Sequence, residues 1–329
     1  MEYSNCLKVA FLLAVVALSA GGGHALYAAD KTSESWLKQG KVLQRQGDAG
    51  AGARYYREAQ SAYRKALKLE PANIQAANGL ASVLMRLGNT IEAADVVKRA
   101  LKISPDSPVL YARLAYIARY AGYLDISIQA YRRSERLDNS PKNRIRVREQ
   151  LAKAYIYQGQ HKESLRLFEE IAALSKQHDI TVRGKTFFYA GLSLLYLDEP
   201  VRARTYFKQA VVKEKGSLWG QFAAGYERLA AKDKKGVKDV ANALALDTAN
   251  IADGERRYRM VHLAAAAGEV DGALEHFDRA VAAGNFNYPY FADDLLTRAL
   301  RDSHRFQRIL AQADKLHKNF PAIDLPQLK

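Results

Sequence analysis

The chain has 329 residues, of which 48% are hydrophobic, and its 50 Lys and Arg against 35 Asp and Glu give a formal net charge of +15. That apolar content excludes global disorder, and a single cysteine, Cys6, excludes a disulfide framework. The basic excess points to acidic protein, anionic glycan, a lipid surface or nucleic acid as partner, and says nothing of fold.

The first thirty residues read as a separate object. Lys8 precedes an uncharged apolar run, Val9–Ala20, and Gly21–Ala25 follows, with Gly23 and Ala25 placing small residues at the spacing of a cleavage site. Residues 1–29 are therefore expected to be a secretory signal peptide, the alternative being an N-terminal anchor. The run is short of the ~20 residues a span needs. Cleavage would remove Cys6, which precedes the run and so cannot be a lipid-modified cysteine after it. Export, to a bacterial periplasm in this reading, argues against nucleic acid as the partner.

Beyond residue 33 one pattern recurs. A first unit begins at Trp36 and Gly40, and Gly47–Ala53 (GDAGAGA) inserts extra chain before its second helix. Ala59-x3-Tyr63-x2-Ala66 is then followed by Pro71, Ala93-x3-Val97-x2-Ala100 by Pro105, and Ser127-x3-Tyr131-x2-Ser134 by Asn139, each set 34 residues after the last. First helices repeat as well: Leu80-Ala81-x2-Leu84 precedes Gly88, and Leu114-Ala115-x2-Ala118 precedes Gly122. Later units keep the frame through Gly159, Ser164 and Phe168, then Ala190, Ala203, Phe207 and Ala210, then Gly268, Ala273, Phe277 and Ala280. Leu218–Asp247 is degenerate, although Ala243–Asp247 echoes Ala66–Glu70. The count is seven units.

The pattern has a steric reason. A small residue where two helices cross lets the backbones approach, and a large one beside it fills the gap. The glycines supply left-handed helix ends, and Pro71 and Pro105 stop second helices. One hairpin cannot bury its apolar face alone, so successive hairpins must stack. Ser33–Ala283 resembles a tetratricopeptide-repeat protein over roughly three quarters of the chain. The resemblance implies an all-α, right-handed superhelical solenoid of antiparallel helix hairpins, whose first helices line a concave groove that usually holds a peptide or protein segment. Residues 284–329 resemble a capping segment that ends many such solenoids. In it, Leu300, Phe306, Ile309 and Leu310 would be buried, and Arg301, Asp302, Arg305, Gln307 and Arg308 would supply the polar side.

In that frame the groove-facing positions of the first helices are Asn78, Arg86, Tyr116, Arg119, Tyr120, Tyr123, Arg146, Lys153, Tyr157, Lys185, Phe188, Tyr196 and Tyr258, with Gln75, Ser82, Met85, Ala112 and His262 beside them. Tyr offers amphipathic area with few torsions to freeze, and Arg offers planar recognition of carboxylate or phosphate. The expected partner is a protein or peptide segment, acidic in part. The alternative reading packs several of these tyrosines between repeats.

Enzyme readings fail on spacing. Arg183-Gly184-Lys185-Thr186 lacks the upstream glycine of a phosphate-binding loop, where Asp179 stands instead. The histidines (161, 178, 262, 276, 304 and 317 among them) form no metal-binding spacing, and Asp293-Asp294 reads as helix-start charge. No catalytic residue, metal or cofactor is expected. The sequence thus predicts an interaction scaffold or adaptor in the cell envelope. The alternatives are a peripheral binder of anionic glycan or lipid, or a supporting component of polysaccharide export or outer-membrane assembly.

Overall fold

Small residues, helix-stopping prolines and helix-ending glycines set out above resolve into helices at the expected places. The computed structural model describes residues 32–247 and 253–324. The expected export segment, Cys6 and the last residues of the tail lie outside the described residues. Helices pair in chain order: α1 (Ser33–Gln46) with α2 (Ala53–Leu69), α3 (Ile74–Arg86) with α4 (Thr90–Ile103), α5 (Pro108–Ala121) with α6 (Leu124–Leu137), and α7 (Pro141–Tyr157) with α8 (His161–Gln177). The series continues with α9 (Gly184–Tyr196) and α10 (Pro200–Lys213), α11 (Leu218–Ala230) and α12 (Lys234–Asp247), and α13 (Gly254–Ala267) and α14 (Val270–Ala282). A short α15 (Tyr288–Asp293), a 3-10 turn over Leu295–Leu300 and α16 (His304–Lys318) complete the chain. No strand occurs among the described residues.

Local chemistry sets the ends. Asn73, Ser107, Ser140 and Asp253 accept backbone N–H bonds at the starts of α3, α5, α7 and α13. Gly122 and Gly268 close α5 and α13 at φ 86° and 85°. Where the repeat drifts, Asp198 and Lys232 take that left-handed position instead, each at φ 57°, which is why a search for glycine misses those two joints.

The crossings follow the sequence frame. Ala59, Ala93, Ser127, Ser164, Ala203 and Ala273 are fully buried, and Tyr63, Val97, Tyr131, Phe168, Phe207 and Phe277 are buried beside them. Where serine replaces alanine, its hydroxyl finds a partner across the crossing: Ser127 Oγ donates to Ala115 O at 2.8 Å, and Ser134 Oγ to Pro108 O at 2.8 Å. The degenerate unit is a helix pair too, but its register differs from the echo read in the sequence. Val237, Ala241 and Leu244 are buried whereas Ala243 is exposed. Leu244, not Ala243, therefore occupies the place of Ala66, and the sizes are inverted, with the small residue between two larger ones.

The stack curves until its late units meet its early ones. Thr90 Oγ1 donates to Gly284 O at 2.7 Å, Phe286 N to Tyr120 O at 3.0 Å, and Arg86 Nη1 pairs with Asp253 Oδ2 at 2.8 Å. The end of α16 continues the closure: Tyr123 Oη donates to His317 O at 3.0 Å, and the Tyr123 ring stacks on His317 and Phe320. The capping segment buries Leu300, Phe306 and Ile309. It covers the last repeat and also reaches back to the third.

Candidate functional site

Closure makes the concave face an interior. Glu255, near the start of α13, is its centre. Its Oε1 accepts from Tyr157 and Tyr189 hydroxyls at 2.6 Å each, and lies 3.3 Å from both Arg119 Nη1 and Lys153 Nζ. The chain of contacts runs on without a break. Tyr157 Oη accepts from Arg259 at 3.2 Å, Tyr290 lies beside Arg259, and Tyr196 Oη meets Tyr290 Oη at 2.8 Å and donates to Asp294 Oδ1 at 2.7 Å. His262 then bridges Asp294 and Tyr226, with 2.6 Å on each side. Since a carboxylate only accepts, Nε2 of His262 carries the proton toward Asp294 and Nδ1 accepts from Tyr226.

The charges in this interior are held by their partners. Burial pushes the Glu255 carboxyl up, but Arg119, Lys153 and the two tyrosine hydroxyls hold it well below the usual carboxylate range. Burial pulls Lys153 down to about 7 against the attraction of Glu255. Burial likewise lowers the basicity of His262, which agrees with the neutral tautomer assigned above.

The expected groove residues separate into three groups. Arg119, Tyr120, Lys153, Tyr157 and Tyr196 do line the inner face, but their partners are Asp253, Glu255, Tyr290 and Asp294 of the same chain. Phe188 and Tyr258 point elsewhere. Phe188 is fully buried between Phe207 and Tyr226, with Tyr189 taking the inner position, and Tyr258 stacks on Phe291 at 4.3 Å. Tyr123 lies under the end of α16. The third group stays at the rim: Asn78, Arg86, Tyr116 and Lys185 are half-buried, and Arg146 is exposed. Lys185 pairs with Glu149 at 2.8 Å. Sequence reasoning missed Asp253, Glu255, Tyr189, Arg259 and Tyr290. Asp294 was read as helix-start charge. It does cap the 3-10 turn, accepting from Leu296 N at 3.0 Å, but it is also the buried partner of His262. An acid at an inner first-helix position facing Arg and Lys on earlier helices was the one available signal for Glu255.

At the rim, Ser82, Arg86, Arg113, Tyr116, Tyr120 and Asp253 surround a polar cleft of about 240 Å³. His161, Tyr196, Tyr290 and Asp294 border a second cleft of about 210 Å³. Among the described residues no group of three His, Cys, Asp or Glu could hold a metal ion, and no helix is long and apolar enough to cross a membrane.

Stacked helix pairs with small residues at their crossings define an all-α superhelical repeat protein. The tetratricopeptide repeat family matches residues 37–108, and the helix pairs that follow continue the same superhelical repeat fold. Solved structures show the same fold at low identity. A human IFIT1 dimer with m7Gppp-AAAA is 13% identical with a TM-score of 0.54, covering 88% of this chain and 71% of that one. Pseudomonas aeruginosa PilF is 15% identical with a TM-score of 0.50, covering 64% and 90%. The Cut9–Hcn1 assembly of the APC/C is 11% identical with a TM-score of 0.50, covering 80% and 50%. No curated protein matches the sequence. The fold is that of a protein-interaction scaffold.

Proposed function

We propose that this protein is an exported, non-enzymatic scaffold of the cell envelope that holds a protein partner at the open rim of its closed superhelix. One observation carries the reading. The concave face already holds polypeptide, its own, and holds it by acids: Asp253 on Arg86 and Tyr120, and Glu255 on Arg119, Lys153, Tyr157 and Tyr189. The inner chemistry thus suits an acidic segment. What remains open to a partner is the rim of Arg86, Arg113, Tyr116 and Arg146. Its test is site-specific photo-crosslinking in an envelope fraction, with the probe at Arg146 or at Val201 on an exposed position elsewhere (79% exposed). A defined protein adduct at Arg146 and not at Val201 is expected. Equal adducts at both positions, or none, would refute the rim.

The net charge of +15 favours a second reading, a peripheral binder of anionic glycan or lipid. Exposed charges are screened over about 8 Å at physiological salt. Cosedimentation with anionic vesicles that vanishes at that ionic strength would reject this reading.

A further inference from the structure

On the outer face, successive second helices leave gaps that one position of the repeat fills. Leu80, Leu114, Leu151 and Ala190 are equivalent in the frame, and the residue three before each faces such a gap. Between α4 and α6 it is Tyr111. Its ring is fully buried, Arg133 lies over it at 5.9 Å, and Asp106 pairs with Arg133 at 3.0 Å. Between α6 and α8 it is Arg148, tied to Glu135 at 2.7 Å and to Glu170 at 2.8 Å. Between α8 and α10 it is Phe187, at the border of a cleft. Between α2 and α4 it is Ala77, and there a cleft of about 390 Å³ remains, walled by Leu67, Leu80, Val96, Ala100 and Ile103.

The next gap shows what this one lacks. One 34-residue repeat before Tyr111, Arg133 and Asp106 stand Ala77, Arg99 and Ala72. The guanidinium is kept, while the ring beneath it and the acid beside it are gone. Arg99 and Lys68 border the cleft, are exposed, and make no ion pair among the described residues, whereas Arg64 is matched by Glu92 at 2.6 Å. Water serves exposed cations well, so these two mark no anion site by themselves. Beside an apolar cleft, they complement a carboxylate that arrives together with an apolar group.

We propose that the outer cleft between α2 and α4 docks a segment of a partner protein that inserts an aromatic side chain over Ala77 and lays a carboxylate on Arg99. The occupant supplies from outside what Tyr111 and Asp106 supply within the chain one gap further on. An aromatic ring brings a large apolar area with few torsions to freeze, and its face suits a guanidinium. An acyl chain would fill the walls without giving Arg99 either ring or acid. The cleft shares no residue with the rim cleft, so each site stands without the other.

The probes are three blocked dipeptide amides, acetyl-Tyr-Asp, acetyl-Tyr-Asn and acetyl-Ala-Asp, titrated into the methyl-labelled full chain and followed by NMR. Acetyl-Tyr-Asp should give saturable shifts at the Leu80, Val96 and Ile103 methyls. Acetyl-Tyr-Asn, which loses one exposed charge contact, should bind about threefold more weakly, and acetyl-Ala-Asp should give no saturable shift. Val182, at the cleft that already holds Phe187, should not move. Arg99→Gln should bring acetyl-Tyr-Asp down to the level of acetyl-Tyr-Asn. Ala77→Tyr, which builds the ring of the next gap in place, should abolish binding while keeping the melting temperature of the parent. If that variant does not fold, Arg99→Gln and the dipeptide series decide alone. No saturable shift, equal shifts from acetyl-Ala-Asp, or undiminished binding in folded Ala77→Tyr would each overturn the proposal. A dimer in sedimentation that Ala77→Tyr abolishes would assign the cleft to a second copy of the chain. Cosedimentation with anionic vesicles lost in the same variant would assign it to lipid, and either result overturns the partner segment.

Discussion

Glu255→Gln tests whether charge holds the superhelix closed. Glutamine keeps the shape and can still accept a hydrogen bond from Tyr157 or Tyr189, so the substitution removes chiefly the negative charge. That charge has two cations at 3.3 Å, Arg119 and Lys153, with side chains only 0% and 5% exposed. Removing one member of a buried ion pair costs about 3–5 kcal/mol, because the remaining charge stays in a medium that cannot solvate it. For a chain of this size that is a fall of roughly 5–8 °C in melting temperature. The assay is urea unfolding followed by circular dichroism, with small-angle scattering to report an opened ring as a larger radius of gyration. A loss below about 1 kcal/mol, the range of exposed pairs, with unchanged scattering, would refute the reasoning: apolar packing alone would then hold the ring.

Ala93→Leu should cost about 1–3 kcal/mol in the same urea assay, because Ala93 is fully buried at a helix crossing; unchanged stability would place the crossing elsewhere. Lys153 should make stability depend on pH. The unfolded lysine holds its proton up to about 10.5 and the folded one only up to about 7. Between those values the unfolded chain carries the extra proton, so unfolding free energy rises with pH across that window and Lys153 weakens the fold most below it. Lys153→Met should flatten the rise measured by urea titration from pH 7 to 10, and an identical slope in the variant would assign it to other groups.

The repeat was legible because it is local and steric: a small residue, three intervening positions and a large one specify a crossing whatever happens elsewhere in the chain. The same logic explains the failure at Leu218–Asp247. There the sizes are inverted, and a search for alanine lands on the exposed Ala243 beside the buried Leu244. Phe188 and Tyr258 show a second limit. Each lies next to the true inner residue, Tyr189 or Arg259, and one position on a helix turns a side chain by about 100°. The closure itself had no local sign. Glu255 meets Arg119 across 136 residues, and that meeting depends on the accumulated rotation of every hairpin between them, which no window of sequence contains.

Closure also changes what the inner residues can be said to recognise. In an open solenoid, Tyr120, Lys153 and Tyr157 would be free contacts for a peptide. Here they are already satisfied, so a competing segment must first displace Asp253 and Glu255. If closure is worth about 4 kcal/mol, the open form is roughly one molecule in a thousand, and apparent affinity for the inner face falls by about the same factor. A partner that binds the rim bears no such cost. The aromatic and basic composition of the first helices is therefore explained inside by self-assembly, and at the edge it is what the proposed recognition would use. Only basic and aromatic rim residues without an internal acid bear on the proposed recognition. Among the expected groove positions that criterion leaves Tyr116 and Arg146, and it adds Arg113, which the inner-face pattern did not include.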